Sequence, residues 1–214
     1  MKKSKPPLPF IDYERIFQVL YTFLKTADGY LHRGCKFYAT AGAYLLHEHY
    51  KLDANAVFGA AAFHVSDADD QVLYFGRVED NAFASDEMAF HAWVECEGYL
   101  IDFMAPMFPE AARDAGGAAK LSRRMFQKPL ALDAPAVDHL ARVGDFCVSP
   151  NPELTFRMLR DFIDRPDMSD LVKAATAYYR KPPKVMDRGF RLFDTKVGAP
   201  VPLAKGAPNL SGVW

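Results

Sequence analysis

Residues 90–104 read FHAWVECEGYLIDFM, and the way this stretch pairs with itself decides the fold. Two alternating runs rich in aromatic and aliphatic residues flank Glu97-Gly98, a dipeptide suited to the tightest hairpin turn. A two-residue turn sets Cys96 opposite Tyr99, so that Glu95 meets Leu100, Trp93 meets Asp102 and His91 meets Met104. One face then holds Ala92, Val94, Cys96, Tyr99, Ile101 and Phe103 and is expected to be core; the other holds His91, Trp93, Glu95, Leu100, Asp102 and Met104. On the second face Asp102 is the diagonal cross-strand neighbour of His91, at a backbone separation of roughly 7–8 Å that an imidazole and a carboxylate close between them. That is the geometry of a base and the acid that orients it. A four-residue loop centred on the same glycine keeps this parity, whereas a bulge or a three-residue loop breaks it.

Outward from the hairpin, Ala56–Val65 and Gln71–Val78 read as two further strands around the polar turn Ser66–Asp70, giving four with Phe90–Cys96 and Tyr99–Met104. Two helices precede them. Tyr13, Ile16, Phe17, Leu20 and Leu24 recur at helical spacing over 11–26, and Asp28-Gly29 stops that helix. Arg33-Gly34-Cys35 leads into a second helix beginning at or near Cys35 and ending at His47-Glu48-His49; its small residues Ala39, Ala41, Gly42 and Ala43 suit a helix packed in the middle of the fold. Beyond Pro106 helical patterns return within 108–127, from Asn151-Pro152-Glu153 to Ile163, and from Ser169 to Arg180. The expected organisation is a flexible Lys/Pro-rich arm over 1–10, a single α+β domain over 11–192 with its core motifs in 30–105, and an extended Pro/Gly-rich tail over 193–214.

Composition removes several function classes. The chain has 214 residues, 50% hydrophobic and 25% charged, with a net charge of −1, so it lacks the concentrated positive field that nucleic acids require. The longest apolar stretch, Ala56–Phe63, is far short of the roughly 18–20 residues of a membrane helix. Lys2, Lys3 and Lys5 run into Pro6, Pro7 and Pro9 instead of the apolar core of an export signal, so a cytoplasmic location is expected, with neither a membrane nor a nucleic-acid partner. Cys35, Cys96 and Cys147 are odd in number and show no Cys-x-x-Cys spacing, which argues against a disulfide framework and against structural zinc. The 17 Phe and 10 Tyr fall at core spacing and read as packing. The oligomeric state stays open.

What carries chemistry is the order Cys, His, Asp. A thiol at a helix N-terminus sits at the positive end of the helix dipole, which favours the attacking thiolate form. An imidazole beside it takes up and returns the proton, and amides of the helix start, including that of Cys35, are ready donors to an oxyanion. Cys96 and Cys147 read as small core residues, and His47 and His49 as helix-end residues without metal-ligand spacing. His32 and Arg33, just before Cys35, read as solvated loop or as contacts to an anionic substrate group; Glu79, Asp80, Asp86 and Glu87 read as a solvated loop or as a cleft wall favouring basic substrates.

Gly34-Cys35 opening an apolar helix, His91-Ala92-Trp93-Val94-Glu95 on a strand and Ile101-Asp102-Phe103 on the next together resemble the core of transglutaminase-like and papain-like cysteine enzymes. The likeness spans roughly residues 30–105, is nearest to compact bacterial members, and points to a small bacterial family of unassigned function within that superfamily. It implies a papain-like/transglutaminase-like core with a nucleophile-bearing helix packed on an antiparallel sheet and added C-terminal helices. It also implies Cys35 as nucleophile, His91 as general base and Asp102 as orienter, acting on a peptide or small amide or acyl substrate without metal or organic cofactor. The pattern departs from papain-type proteases in lacking a Gln just before the nucleophile: Asp28 to Arg33 stand there, and Gln18 falls inside the first helix. Tyr30 and Tyr38 are the candidates nearest the nucleophile for an added oxyanion donor. Hydrolysis, acyl transfer to an amine, and a non-catalytic binding role for the same fold all remain open at this level.

Overall fold

Pro9 presets the backbone for the first helix, α1 (Phe10–Thr26), whose buried stripe Tyr13, Ile16, Phe17, Leu20 and Leu24 is the one expected from its periodicity. The computed structural model describes residues 5–68, 70–79, 82–117, 120–195 and 197–214; Lys2, Lys3 and Asp80 lie outside them. α1 ends in a Schellman closure: Asp28 takes a left-handed conformation, its N–H donates to the Lys25 carbonyl, and the Gly29 N–H donates to the Leu24 carbonyl at 2.9 Å. A 3₁₀ turn over Leu31–Arg33 and then Gly34 deliver the chain to α2 (Cys35–Leu45), which continues into a π-helical turn over Leu46–Tyr50. Gly34 is required by space, because a Cβ there would stand 2.5 Å from Leu24 Cδ2 of α1.

The sheet follows. Its long strand β1 (Ala54–Ser66) pairs antiparallel with β2 (Gln71–Phe75) through its second half. A small separate hairpin of β3 (Arg77–Glu79) and β4 (Ala82–Ala84) precedes β5 (His91–Cys96), which pairs with β1 over Ala54–Gly59 and continues into β6 (Tyr99–Asp102). The β5–β6 ladder is Val94 to Ile101, Glu95 to Leu100 and Cys96 to Tyr99, with Glu97 and Gly98 both at positive φ, as a two-residue type I′ turn demands. After α3 (Phe108–Asp114), β7 (Phe126–Pro129) extends the sheet from β6, and β8 (Phe146–Pro150) pairs with β1, making six strands. α4 (Pro152–Ile163) and α5 (Pro166–Tyr178) are amphipathic covers, and β9 (Arg191–Asp194) with β10 (Ala199–Pro202) forms a last hairpin. The molecule is thus mixed α+β, a curled antiparallel sheet with several helices. No helix among the described residues is long and apolar enough to cross a membrane.

Several expectations are corrected. The hairpin has no open face: His91, Trp93, Leu100 and Asp102 are as fully buried as Ala92, Val94 and Ile101, because α2 covers one side and the curl of the sheet encloses the other. The main sheet has six strands where four strands were expected, and two small hairpins stand beside it among the described residues. The helix placed within 108–127 is only seven residues long, and the chain beyond it supplies β7; β7 and β8 escape a reading by pattern because each is short and ends in proline. The strand drawn over Gln71–Val78 breaks at Gly76, where φ is +148° and a Cβ would meet Ala60 and the Ala84 carbonyl at 2.8 Å. The strand drawn to Met104 stops at Asp102, whose Oδ1 accepts the Met104 N–H. α5 opens at Pro166 instead of Ser169, with proline in its first turn.

Both terminal segments are tied down. Leu8, in the segment expected to be a flexible arm, is buried, and its backbone N–H and C=O bond to Gln127 of β7 at 3.0 and 2.9 Å. The tail is extended but anchored: Leu210 N–H donates to Glu14, Ser211 N–H to the Arg123 carbonyl, and Met125 exchanges backbone hydrogen bonds with Gly212 and Trp214.

Candidate active site

His91 opens β5 and Asp102 closes β6, and the register between the two strands brings their side chains together: His91 Nε2 donates to Asp102 Oδ2 across 2.7 Å. A carboxylate only accepts, so Nε2 carries the proton and Nδ1 is the nitrogen left over. Nδ1 is buried and makes no hydrogen bond of standard geometry. The other carboxylate oxygen of Asp102 accepts the Met104 N–H at 2.8 Å, and the Asp102 carbonyl accepts the Tyr13 hydroxyl from α1. The carboxylate is thereby fixed in orientation from two strands and a turn, and its backbone from a helix.

Cys35 is the first residue of α2, is 6% exposed, and lies close enough to His91 to act on its charge. The electrostatics of His91 are a contest. Burial in a dry environment works against the charged imidazole, but the Asp102 charge and hydrogen bond, joined by the interaction with Cys35, outweigh it and push the pKa up to about 9. The dry environment is aromatic. Phe75 stacks on the imidazole, Phe63 meets it edge-on at 5.6 Å, and Phe108 and Trp93 complete the box with ring centroids 6.3 and 6.5 Å away.

The expected trio is therefore spatially joined: Cys35, His91 and Asp102 come from three elements to one buried locus. The other candidates fall elsewhere. Cys96 and Cys147 are free, buried thiols; desolvation first, helped by Glu97 and Asp53, pushes Cys96 up to about 11, and desolvation likewise raises Cys147. His49 bonds the Thr176 carbonyl at 2.9 Å, His47 lies beside Glu48, His139 beside Asp138, and His64 bonds the Ser66 carbonyl at 3.1 Å. Tyr30 stands in solvent and Tyr38 in the core, its buried hydroxyl without a partner, so neither supplies an evident oxyanion donor. Among the described residues no group of three or more His, Cys, Asp or Glu is placed to hold a metal ion.

His32 and Arg33 are spent on Asp114 at the end of α3, at 2.6 and 3.2 Å, which ties the turn before Cys35 to a second helix. Asp86 accepts the Met88 and Ala89 N–H groups and pairs with Arg77 at 2.8 Å, and Glu87 pairs with Arg157 of α4 at the same distance. These two acids pin the loop before His91 and are not a bare wall for basic substrates. Sequence reasoning missed Tyr13 and the box of Phe63, Phe75 and Phe108. The box has no local signal, because its members come from three separate elements; a polar hydroxyl inside the apolar stripe of α1 is the signal that marks Tyr13.

Comparison with known proteins gives few relatives. A family model described as a protein of unknown function (DUF2026) matches residues 9–214. A solved structure described as the crystal structure of genomics APC5867 is similar over 100% of both chains, with a TM-score of 0.85 and 28% sequence identity. None of the curated proteins compared matches.

Proposed function

The chain belongs to the family described as a protein of unknown function (DUF2026), and from that premise we propose that it is a cysteine-dependent acyl-transfer enzyme hydrolysing an amide or peptide-like bond. The observation that carries this reading is the 2.7 Å His91–Asp102 hydrogen bond, with the free imidazole nitrogen buried next to a thiol at a helix start. We read the chain as a relative of transglutaminase-like and papain-like enzymes on the same ground: a nucleophile-bearing helix against an antiparallel sheet, with base and orienter on adjacent strands.

In the proposed reaction the Cys35 thiolate attacks the substrate carbonyl, forming a C–S bond while the π electrons move to oxygen. The first-turn amides of α2 steady that oxyanion at the positive end of the helix. His91, charged through its pairing with Asp102, gives its Nδ1 proton to the departing amine as the C–N bond breaks. Water, deprotonated by His91, then attacks the thioester, releasing the acid and restoring the thiol. A thiol with 6% exposure admits only a slender acyl group unless neighbouring side chains move. A reducing compartment such as the cytoplasm suits a site that depends on a free thiol.

The test is site-resolved alkylation. Iodoacetamide labelling followed by peptide mass spectrometry in the wild type and His91→Ala is expected to find Cys35 the reactive thiol, with that reactivity lost without His91, while Cys96 and Cys147, both held in the thiol form by burial, stay unlabelled. Slow labelling of Cys35 that ignores His91 overturns the reading and leaves a binding role for the fold.

A further inference from the structure

Directly after the nucleophile stands a cation with nothing ionic to hold. Lys36 is half-buried, and its Nζ reaches Met158 Sδ of α4 at 3.5 Å and lies 6.0 Å from the Phe162 ring; among the described residues it forms no ion pair. A thioether and a phenyl face are weak partners for an ammonium. The charges that face Lys36 from the surrounding elements are Asp161 in the last turn of α4, Arg165 just beyond it, Glu87 of the loop before β5, and Cys35 itself. Of these, Glu87 is already paired with Arg157 and Arg165 with Asp167, each at 2.8 Å. Burial works against the Lys36 charge and lowers its pKa, which is the condition of a cation short of a counter-ion. Next to Cys35 a second polar group is also open: His91 Nδ1, in a fully buried residue, makes no hydrogen bond of standard geometry. The start of α2 thus carries a thiol that lies close to a buried imidazole of β5 and, one residue on, an ammonium without an ion pair.

We propose that Lys36 is the specificity-determining residue of this site and takes the carboxylate of the substrate, so that the acyl donors selected carry a carboxylate close to the scissile carbonyl. This rests on the reading of Cys35 as nucleophile. The ammonium is a compact point charge with three donors, carried by the first turn of α2, whose own end is positive. A carboxylate is the anion that fits, being small, planar and singly charged, where Cys35 itself is only 6% exposed. The seat is one a ligand completes: the anion replaces the Met158 sulfur as the partner of Nζ and leaves the aliphatic stem against α4.

Iodoacetate and iodoacetamide separate the two ideas, because both form the same S–C bond to Cys35 with loss of iodide and differ in one negative charge. The ratio of their rates cancels the thiolate population. In the full-length wild type, alkylation by iodoacetate is expected to saturate and to exceed that by iodoacetamide, relative to glutathione under the same conditions, by about tenfold, the size of one charge-assisted hydrogen bond. Lys36→Met keeps the stem packed on Met158 and Phe162 and is expected to lose both the saturation and the preference, while Lys36→Arg keeps the preference. An iodoacetate-to-iodoacetamide ratio that is the same in the wild type and Lys36→Met overturns the inference and leaves the nucleophile reading intact. Inertness of wild-type Cys35 to both reagents overturns the nucleophile reading, and the Lys36 inference with it.

Discussion

Phe75 lies against His91 with ring centroids 4.4 Å apart and planes inclined by 27°, so the imidazole has hydrocarbon on one face while its Nε2 is committed to Asp102 at 2.7 Å. Phe63 closes a second side. Water is displaced from the ring, and every charge left near it acts through a low local dielectric. The same burial that opposes a charged imidazole makes the Asp102 carboxylate a stronger partner, and here the partner wins. Four expectations follow from particular contacts.

Stability tied to His91 has a definite sign with pH. Its pKa is raised from 6.5 to about 9, so the folded state holds this proton more tightly than the unfolded chain. The contribution is complete below about pH 6.5 and is lost as the pH rises through about 9. Urea midpoints measured at pH 6 and pH 9.5 are expected to fall in the wild type and to fall less in His91→Gln. Equal falls in the two proteins would falsify the charged pair.

Removing Asp102 leaves a buried imidazole without its counter-charge and the Met104 N–H without its acceptor. Asp102→Ala is therefore expected to cost about 3–5 kcal/mol, the range found when one partner of a buried pair is deleted. Chemical denaturation gives the number. A loss under 1 kcal/mol would mean that the pair is not formed in solution.

Tyr13 reaches from α1 to the carbonyl of Asp102, and it stacks on Phe103 with centroids 5.0 Å apart. Tyr13→Phe keeps the stack and deletes two buried hydrogen bonds, the one donated to the Asp102 carbonyl and the long one accepted from the Phe126 N–H, an expected loss of about 1–2 kcal/mol. If the bond positions the carboxylate, the pH profile of Cys35 alkylation shifts as well; a stability change with an unmoved profile marks Tyr13 as purely structural.

At Gly42 two effects of known size oppose each other. Alanine is preferred over glycine in a helix interior by about 1 kcal/mol, yet a Cβ at this position would stand 2.4 Å from Phe103 Cδ2. Forcing an extra methyl into a packed contact costs about 1–3 kcal/mol. Gly42→Ala is expected to lower the melting temperature, because the contact lies between α2 and the turn that follows β6, where Phe103 is fully buried and stacked on Tyr13. A raised melting temperature would show that Phe103 moves freely.

The hairpin was legible because three levels agree in it. Glu97-Gly98 sets the turn, alternation sets the faces, and together they fix the Cys96–Tyr99 register that brings His91 to Asp102. α1 and α2 were legible from periodicity, and the small residues of α2 anticipated its close packing on the sheet. Burial of the His91 face was not, since it depends on Phe63, Phe75 and Phe108 arriving from elements far apart in the chain. Lys36 was hidden for the same reason: its neighbours Met158 and Phe162 lie more than 120 residues away, and sequence spacing carries no trace of that distance.

β7 stands at one end of the strand order and is tended by both terminal segments, Leu8 through the Gln127 side chain and the tail through Met125. An outermost strand offers unspent amides and carbonyls to any extended chain that drifts past, and this is how ordered sheets recruit one another into insoluble stacks. Occupying the approach to β7 with the protein's own backbone leaves less of that border on offer. The Gly212 and Trp214 bonds to Met125 thus guard against aggregation as well as adding cohesion, and a chain shortened before residue 205 is expected to precipitate at concentrations where the intact protein stays dispersed.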